Sequence, residues 1–295
     1  MSSSRPGRAQ GLLRHASHSE IVGCMTQSST GYLLGHADAE VRRLLLQARL
    51  YDDHTAAALR LAGLRPGMRV LDVGCGPGDV SFVAARLVGS TGTVLGVDAA
   101  DIVELATSRA AEQGLSNVRF QRSSIAEIAL DEPVDAVIGR LILMHLPDPV
   151  GALRQLATLV RPGGLIAFSE IDTTAATSAP DLPLLRAVRD GIAGAFTGMG
   201  LDPAFGATLH TLFRHAGLGE PRLTLGAPVG TIADPEPLSY VVETWRSLLP
   251  VARQLGLATD GLSDVDKLVP RLREEAASAD AILVLPALIS AWICR

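Results

Sequence analysis

Residues 70–81 read VLDVGCGPGDVS: an apolar strand run, then three glycines at alternate positions, Gly74, Gly76 and Gly78. An acid, Asp72, stands two residues before the first glycine. Glycine-rich turns after strands let the backbone approach a ligand closely, and several ligand classes use them. A triphosphate-binding loop of the GxxxxGK[ST] type is excluded, because the Lys-Ser/Thr pair is missing. A dinucleotide turn needs GxGxxG, but the third required glycine is Asp79 here, and Pro77 removes an N–H that a pyrophosphate would use. An acid at position 72 suits a ligand bearing an ammonium group rather than a phosphate. Further on, GVDAA places Asp98 and Ala99 at the end of the next strand, where a carboxylate can accept both hydrogen bonds of a ribose diol. His145, in LMHLPD, follows the fourth strand, and an imidazole titrating near neutrality suits a general base. Glu170 and Asp172 end the fifth strand; they either bind or deprotonate an acceptor or cap the following loop. Arg140 holds either an acidic substrate or a carboxylate of the cofactor.

These residues need a scaffold that brings strand ends to one edge. The pattern predicts strands over 69–73, 93–98, 118–122, 135–141 and 165–172, alternating with helices over 79–88, 101–113 and 149–160. Short apolar strands alternating with helices specify a parallel sheet covered on both faces, an α/β fold. Before it, two helical patterns fill 39–62. After it, helices are expected over 183–196, 202–216, 236–255 and 264–278, with strands over 222–229 and 287–294. The last strand starts after Pro286. Residues 1–30 read as a partly ordered arm. Residues 31–295 read as one domain: N-terminal helices (31–62), a cofactor-binding core (63–172), and lid helices with C-terminal strands (173–295).

The run hhDhGxGxG in strand, turn and helix, followed in order by Asp98, LPDP (146–149) and RPGG (161–164), resembles class I S-adenosylmethionine-dependent methyltransferases. The resemblance is to the small-molecule, natural-product type. It implies a Rossmann-like, mostly parallel sheet with an antiparallel last strand and helical lid insertions. It also implies S-adenosyl-L-methionine as cofactor, held by Asp72, Gly74, Gly76, Gly78, Asp98, Ala99, Ser124, Ile125 and Arg140. Ser124 stands where the family often has an Asp that reads the adenine edge, which leaves the Ile125 amide to serve N1. GYLLGHADAEVRRLLLQ (31–47) is similar to the N-terminal helical segment of such enzymes and places Tyr32 and Gln47 over the methionine end. His145 and Glu170 are then the catalytic candidates, with no metal. Two other functions stay open: a cofactor-binding cyclase or isomerase that transfers no methyl, and a non-catalytic accessory protein.

Composition narrows the partners. Net charge is −5, and one lysine, Lys267, stands beside 25 arginines without a basic stripe, which disfavours nucleic acid. No apolar run approaches the length of a membrane span, and MSSSRPGRAQ lacks a secretory h-region, so the cytoplasm is expected. Cys24, Cys75 and Cys294 form no CxxC pair, which argues against a disulfide framework or a zinc site. The apolar lid and the arginine-rich composition point to a small, largely apolar bacterial metabolite, with possible self-association through the N-terminal helices.

Overall fold

The computed structural model describes residues 34–231 and 233–295; the arm expected over 1–30 and Tyr32 lie outside the described residues. In chain order the strands are β1 (Arg69–Val73), β2 (Thr93–Asp98), β3 (Val118–Arg122), β4 (Val134–Arg140), β5 (Val160–Asp172), β6 (Thr177–Ala179), β7 (Arg222–Gly226), β8 (Val229–Thr231), β9 (Ile282–Val284) and β10 (Ala287–Cys294). The helices are α1 (Leu34–Ala62), α2 (Asp79–Val88), α3 (Val103–Glu112), α4 (Pro149–Thr158), α5 (Pro183–Gly198), α6 (Leu209–His215), α7 (Glu236–Gln254) and α8 (Leu268–Ser278).

Seven strands form one sheet in the order β3-β2-β1-β4-β5-β10-β7. β1, β2, β3, β4 and β5 pair in parallel, and β10 runs antiparallel to both β5 and β7. This is the Rossmann-like α/β fold with an antiparallel last strand that the motifs implied. The strand order reverses between β1 and β4, so the crevice beyond their carboxyl ends is the expected ligand site of an open parallel sheet. Register brings the chemistry to that edge: Val73 pairs with Val97 and with Gly139, and Arg140 pairs with Ser169.

Side-chain alternation explains the layering. Val70, Ala136, Ile138, Leu165 and Ala167 face one way and pack against α2 residues such as Val83 and Val88. Leu71, Val73, Val137, Ile166 and Phe168 face the other way, onto Leu153 and Leu156 of α4 and Leu209 and Phe213 of α6. LPDP is a helix start in physical terms. The Asp148 carboxylate accepts from the Gly151 amide, and Pro149 occupies the first turn, where its missing N–H costs nothing.

Three expectations shift. The two helical patterns over 39–62 are one continuous helix, α1. The strand expected over 222–229 divides into β7 and β8, and β8 joins β6 and β9 in a second, three-stranded sheet. Of the expected lid helices, α6 belongs to the sheet's own core. The lid core is a third cluster, built from α5, α7, α8 and Leu283 of β9. At its centre Trp245 is wholly buried, and its Nε1 donates to the Leu262 carbonyl at 2.9 Å. Its ring lies so close to α5 that a Cβ on Gly191 would fall 2.8 Å from it. Truncating so large a side chain removes its packing and leaves the Leu262 carbonyl without its donor. Trp245→Ala is expected to lower stability by about 3–5 kcal/mol in urea unfolding, and a loss below about 1 kcal/mol would mean the lid packs without it.

Candidate active site

Beyond the carboxyl ends of β1 and β4 lies a mostly apolar cavity of about 420 Å³. Its floor is the glycine turn, where Gly74, Cys75, Gly76 and Pro77 meet Arg140, Leu141, Met144 and His145. Its walls come from α1, α5 and α7, with Leu283 to Pro286 closing one side. α8 supplies none of the lining.

The turn fits closely. Gly76 has φ +52, and a Cβ there would point into open space rather than at protein, so the missing side chain leaves a cradle for a ligand. The Gly76 amide donates to Asp98 Oδ2 at 3.0 Å, while Asp98 Oδ1 accepts from the Ala100 amide at 3.0 Å. The half-buried Asp98 carboxylate is thereby fixed at the end of β2 with lone pairs to spare. Asp72 does not line the cavity. It is 1% exposed, with Oδ2 accepting from Ser81 Oγ at 2.6 Å and Oδ1 left without a partner. Burial pushes its pKa up to about 7, against the opposing Ser81 hydrogen bond and Arg140 charge. A cationic ligand end above the turn would supply the opposite charge that this carboxyl lacks.

On the β2–β3 side, the Ser123 amide donates to the Asp98 carbonyl at 2.9 Å, which brings the next residues alongside. Ser124 Oγ donates to Glu127 Oε2 at 2.6 Å in a capping box, so its proton is engaged and toward a base it would act as an acceptor. Ile125 opens the short 3₁₀ turn that follows, where the first amides of a helix have no partner within it. Ala99 is exposed beside Asp98. None of Asp98, Ala99, Ser124 and Ile125 lines the apolar cavity; they lie at the carboxyl ends of the neighbouring strands β2 and β3.

α1 contributes more than sequence reasoning found. Glu40, Arg43, Gln47, Tyr51 and Thr55 recur every three or four residues and so share one face. Arg43 pairs with Glu40 at 2.6 Å and donates to Gln47 Oε1 at 2.9 Å, which also accepts from Tyr240 Oη at 3.3 Å. Gln47 therefore lines the cavity as expected, but its oxygen is already engaged. Arg140 is buried, with its guanidinium donating to Asp52 at 3.1 Å and Thr55 at 2.8 Å. The signal for this face was the helical spacing of polar residues through 40–55, which is invisible to a search for acids and glycines.

His145 lines the cavity at its solvent-exposed rim. Lost hydration of the ring and then the Arg43 charge hold its pKa below the usual value, against the opposite pull of Glu40. This favours the neutral ring, the form that can accept a proton. The placement expected for Glu170 is not met: it is 0% exposed and outside the cavity lining. Its Oε1 accepts from the Ile142 and Leu143 amides at 3.1 and 2.8 Å, and its Oε2 has no partner. Glu170 thus braces the turn that carries Met144 and His145 and does not face an acceptor. Asp172 caps the loop instead, accepting from the Thr174 amide at 2.9 Å.

Residues 64–192 match the family described as a methyltransferase domain. They form a class I S-adenosylmethionine-dependent methyltransferase domain. The chain is similar to a ubiquinone biosynthesis O-methyltransferase of Paracidovorax citrulli, 37% identical over 130 residues that make up 41% of this chain and 53% of that one. It is also similar to the aklanonic acid methyltransferase DauC of a Streptomyces species, 41% identical over 110 residues, 35% of this chain and 48% of that one. The chain thus spans about half the length of these relatives. The crystal structure of the YcgJ protein from Bacillus subtilis superposes with a TM-score of 0.51 at 18% identity, over 82% of this chain and 99% of that one, a likeness of fold. Among the described residues no helix is long and apolar enough to cross a membrane. The open cradle at Gly76, the anchored Asp98 and the unpartnered oxygen of Asp72 fit the cofactor of the methyltransferase domain.

Two outcomes follow for this domain. Asp98→Ala is expected to weaken S-adenosylhomocysteine binding in calorimetry by on the order of 2–4 kcal/mol, the worth of charge-assisted hydrogen bonds to a ribose diol; unchanged affinity would remove Asp98 from the site. The second concerns Glu170, whose burial pushes its pKa up to about 8. The folded state then keeps a proton that the unfolded state releases above the ordinary carboxylate pKa, so stability falls as pH rises toward 8. Asp72 does the same only up to about 7. Between pH 7 and 8, Glu170→Gln is expected to flatten the fall, which for one group reaches at most about 1.4 kcal/mol per pH unit. Urea titrations at several pH values measure it, and an unchanged slope would show that Glu170 is ionised in the fold.

Proposed function

We propose that the protein transfers a methyl group to a small, largely apolar metabolite of bacterial secondary metabolism, acting in the cytoplasm with neither nucleic acid nor membrane as partner. One observation carries this reading: the glycine cradle opens onto a mostly apolar cavity whose lining includes His145. Apolar clefts with a few placed polar groups suit small ligands rather than macromolecules. The net charge of −5 without a basic stripe is in keeping with it.

When bound, S-adenosylmethionine supplies a sulfonium methyl already activated for in-line displacement. The chain's residues then have three tasks. Asp98 and the Ile125 amide would hold the nucleoside at the ends of β2 and β3, and the field of Asp72 would favour its ammonium end. The walls from α5 and α7 orient the acceptor at near-attack distance and exclude water. His145 takes the acceptor's proton on a ring nitrogen as the new bond forms. Glu170 acts through position, fixing the turn that aims His145.

Incubating the protein with S-adenosylmethionine and candidate acceptors, and following both product mass and S-adenosylhomocysteine, tests the reaction. A gain of one methyl matched by S-adenosylhomocysteine supports it; product formed without S-adenosylhomocysteine would make the protein a cyclase or isomerase. His145→Ala is expected to lower kcat by about 10²–10⁴-fold with cofactor affinity unchanged. The wild-type rate should rise with pH through a pKa below the ordinary histidine value, a rise the variant lacks. Equal single-turnover rates in the two proteins would take His145 out of the chemistry.

A further inference from the structure

Along α5 the residues that line the cavity are Leu185, Arg189, Ile192 and Phe196, spaced so that they share one helical face. Three are apolar and one is a cation. Other charges at the cavity wall are already matched: Glu40 with Arg43 at 2.6 Å, Asp79 with Arg109 at 2.6 Å, and Arg140 with Asp52 at 3.1 Å. Arg189 is half-buried and has no hydrogen-bond or ion-pair partner among the described residues. A guanidinium facing an apolar cavity loses hydration as a ligand fills it, and that loss is recovered only if the ligand brings an anion.

We propose that Arg189 is a specificity-determining residue that binds a carboxylate on the acceptor, so that the substrate class is an apolar carboxylic acid. The planar guanidinium matches a carboxylate in two parallel hydrogen bonds, which an ammonium could not do. The apolar neighbours Leu185, Ile192 and Phe196 take the hydrophobic body, and Arg189 sets its orientation relative to the cradle. The cofactor does not need this residue, because the cradle and Asp98 lie off α5. That the bound acid is the methyl acceptor rests on the function proposed above; that it binds at Arg189 does not.

Calorimetry on the full chain saturated with S-adenosylhomocysteine tests this, with 2-naphthoate and its neutral isostere 2-naphthamide as probes. The acid is expected to bind the wild type about 10-fold or more tighter than the amide. Arg189→Met should bring the two probes to about equal affinity, Arg189→Lys should keep part of the preference, and S-adenosylhomocysteine should bind all three proteins alike. Equal binding of acid and amide by the wild type overturns the proposal, as does a preference that survives in Arg189→Met, or failure of both probes to bind. Weaker S-adenosylhomocysteine binding in Arg189→Met also overturns it, since Arg189 would then serve the cofactor. If S-adenosylhomocysteine does not bind the wild type, the methyl-transfer reading falls, and the comparison of acid with amide in its absence still decides the role of Arg189.

Discussion

The hydrogen bond from the Gly76 amide to the Asp98 carboxylate is the constraint on which the site depends. Together with the bond from the Cys75 amide to the Val97 carbonyl at 3.0 Å, it joins the turn after β1 to the end of β2 beyond their last paired residues, Val73 and Val97. With one oxygen occupied by Gly76 and the other by Ala100, the carboxylate has one orientation. The turn has little room to give. A Cβ at Gly74 would fall 2.6 Å from the Ile142 side chain, so the chain leaving β4 presses directly on the chain leaving β1. The glycine turn, the Asp98 carboxylate and the histidine-bearing turn are therefore set by one short stretch of close backbone contact.

Glu170 extends that constraint to β5. Its buried carboxyl reaches across to two amides of the turn after β4, where Leu141 has φ +56. A leucine in that region is strained by about 1–2 kcal/mol and persists only where its surroundings over-determine it. Two amide hydrogen bonds to one buried acceptor do this, and they direct Met144 and His145 to the cavity. On the other side, Arg43 is held by Glu40 and Gln47, and its charge contributes to keeping His145 neutral. α1 therefore acts on the histidine from both sides, Arg43 favouring the neutral ring and Glu40 the charged one, while lost hydration is the larger influence.

The core was legible because its signals are strong and local. β1, α2, β2 and β3 fall on their expected bounds, since each is a short apolar run or helical stripe closed by glycines or by a cap. The rest was hidden for identifiable reasons. Three-residue strands such as β6, β8 and β9 are too short to show a period and exist only through one another's hydrogen bonds. α6 has the apolar spacing of a lid helix, but spacing does not say which partner a face will meet, and Phe213 meets Phe168 of the sheet. Glu170 ends a strand at the ligand-facing edge, as a catalytic acid would, and only the fold shows that it turns inward. Arg189 looked like any arginine on an amphipathic helix; what sets it apart is the cavity it faces.

The same edge also holds the two buried side-chain oxygens that lack partners among the described residues, on Asp72 and Glu170. Unsatisfied buried oxygens cost stability, and a fold with no task at this edge would replace or pair them. Their roles differ. The occupied oxygen of Glu170 orders a turn, so its cost is offset within the folded chain, and the group stays protonated near neutrality. Asp72 is bonded only to Ser81 and organises no turn amide. Beyond the nearby Arg140 charge, a positive charge placed above the turn would add stabilisation that it lacks. An uncharged ligand in the cradle would leave Asp72 as it is, whereas one with an ammonium group lowers the cost of ionising it. On the proposed reading the carboxyl would select by charge without touching the ligand, while Asp98 would select by hydrogen bonding at contact. Both criteria are met together by a nucleoside carrying an amino acid.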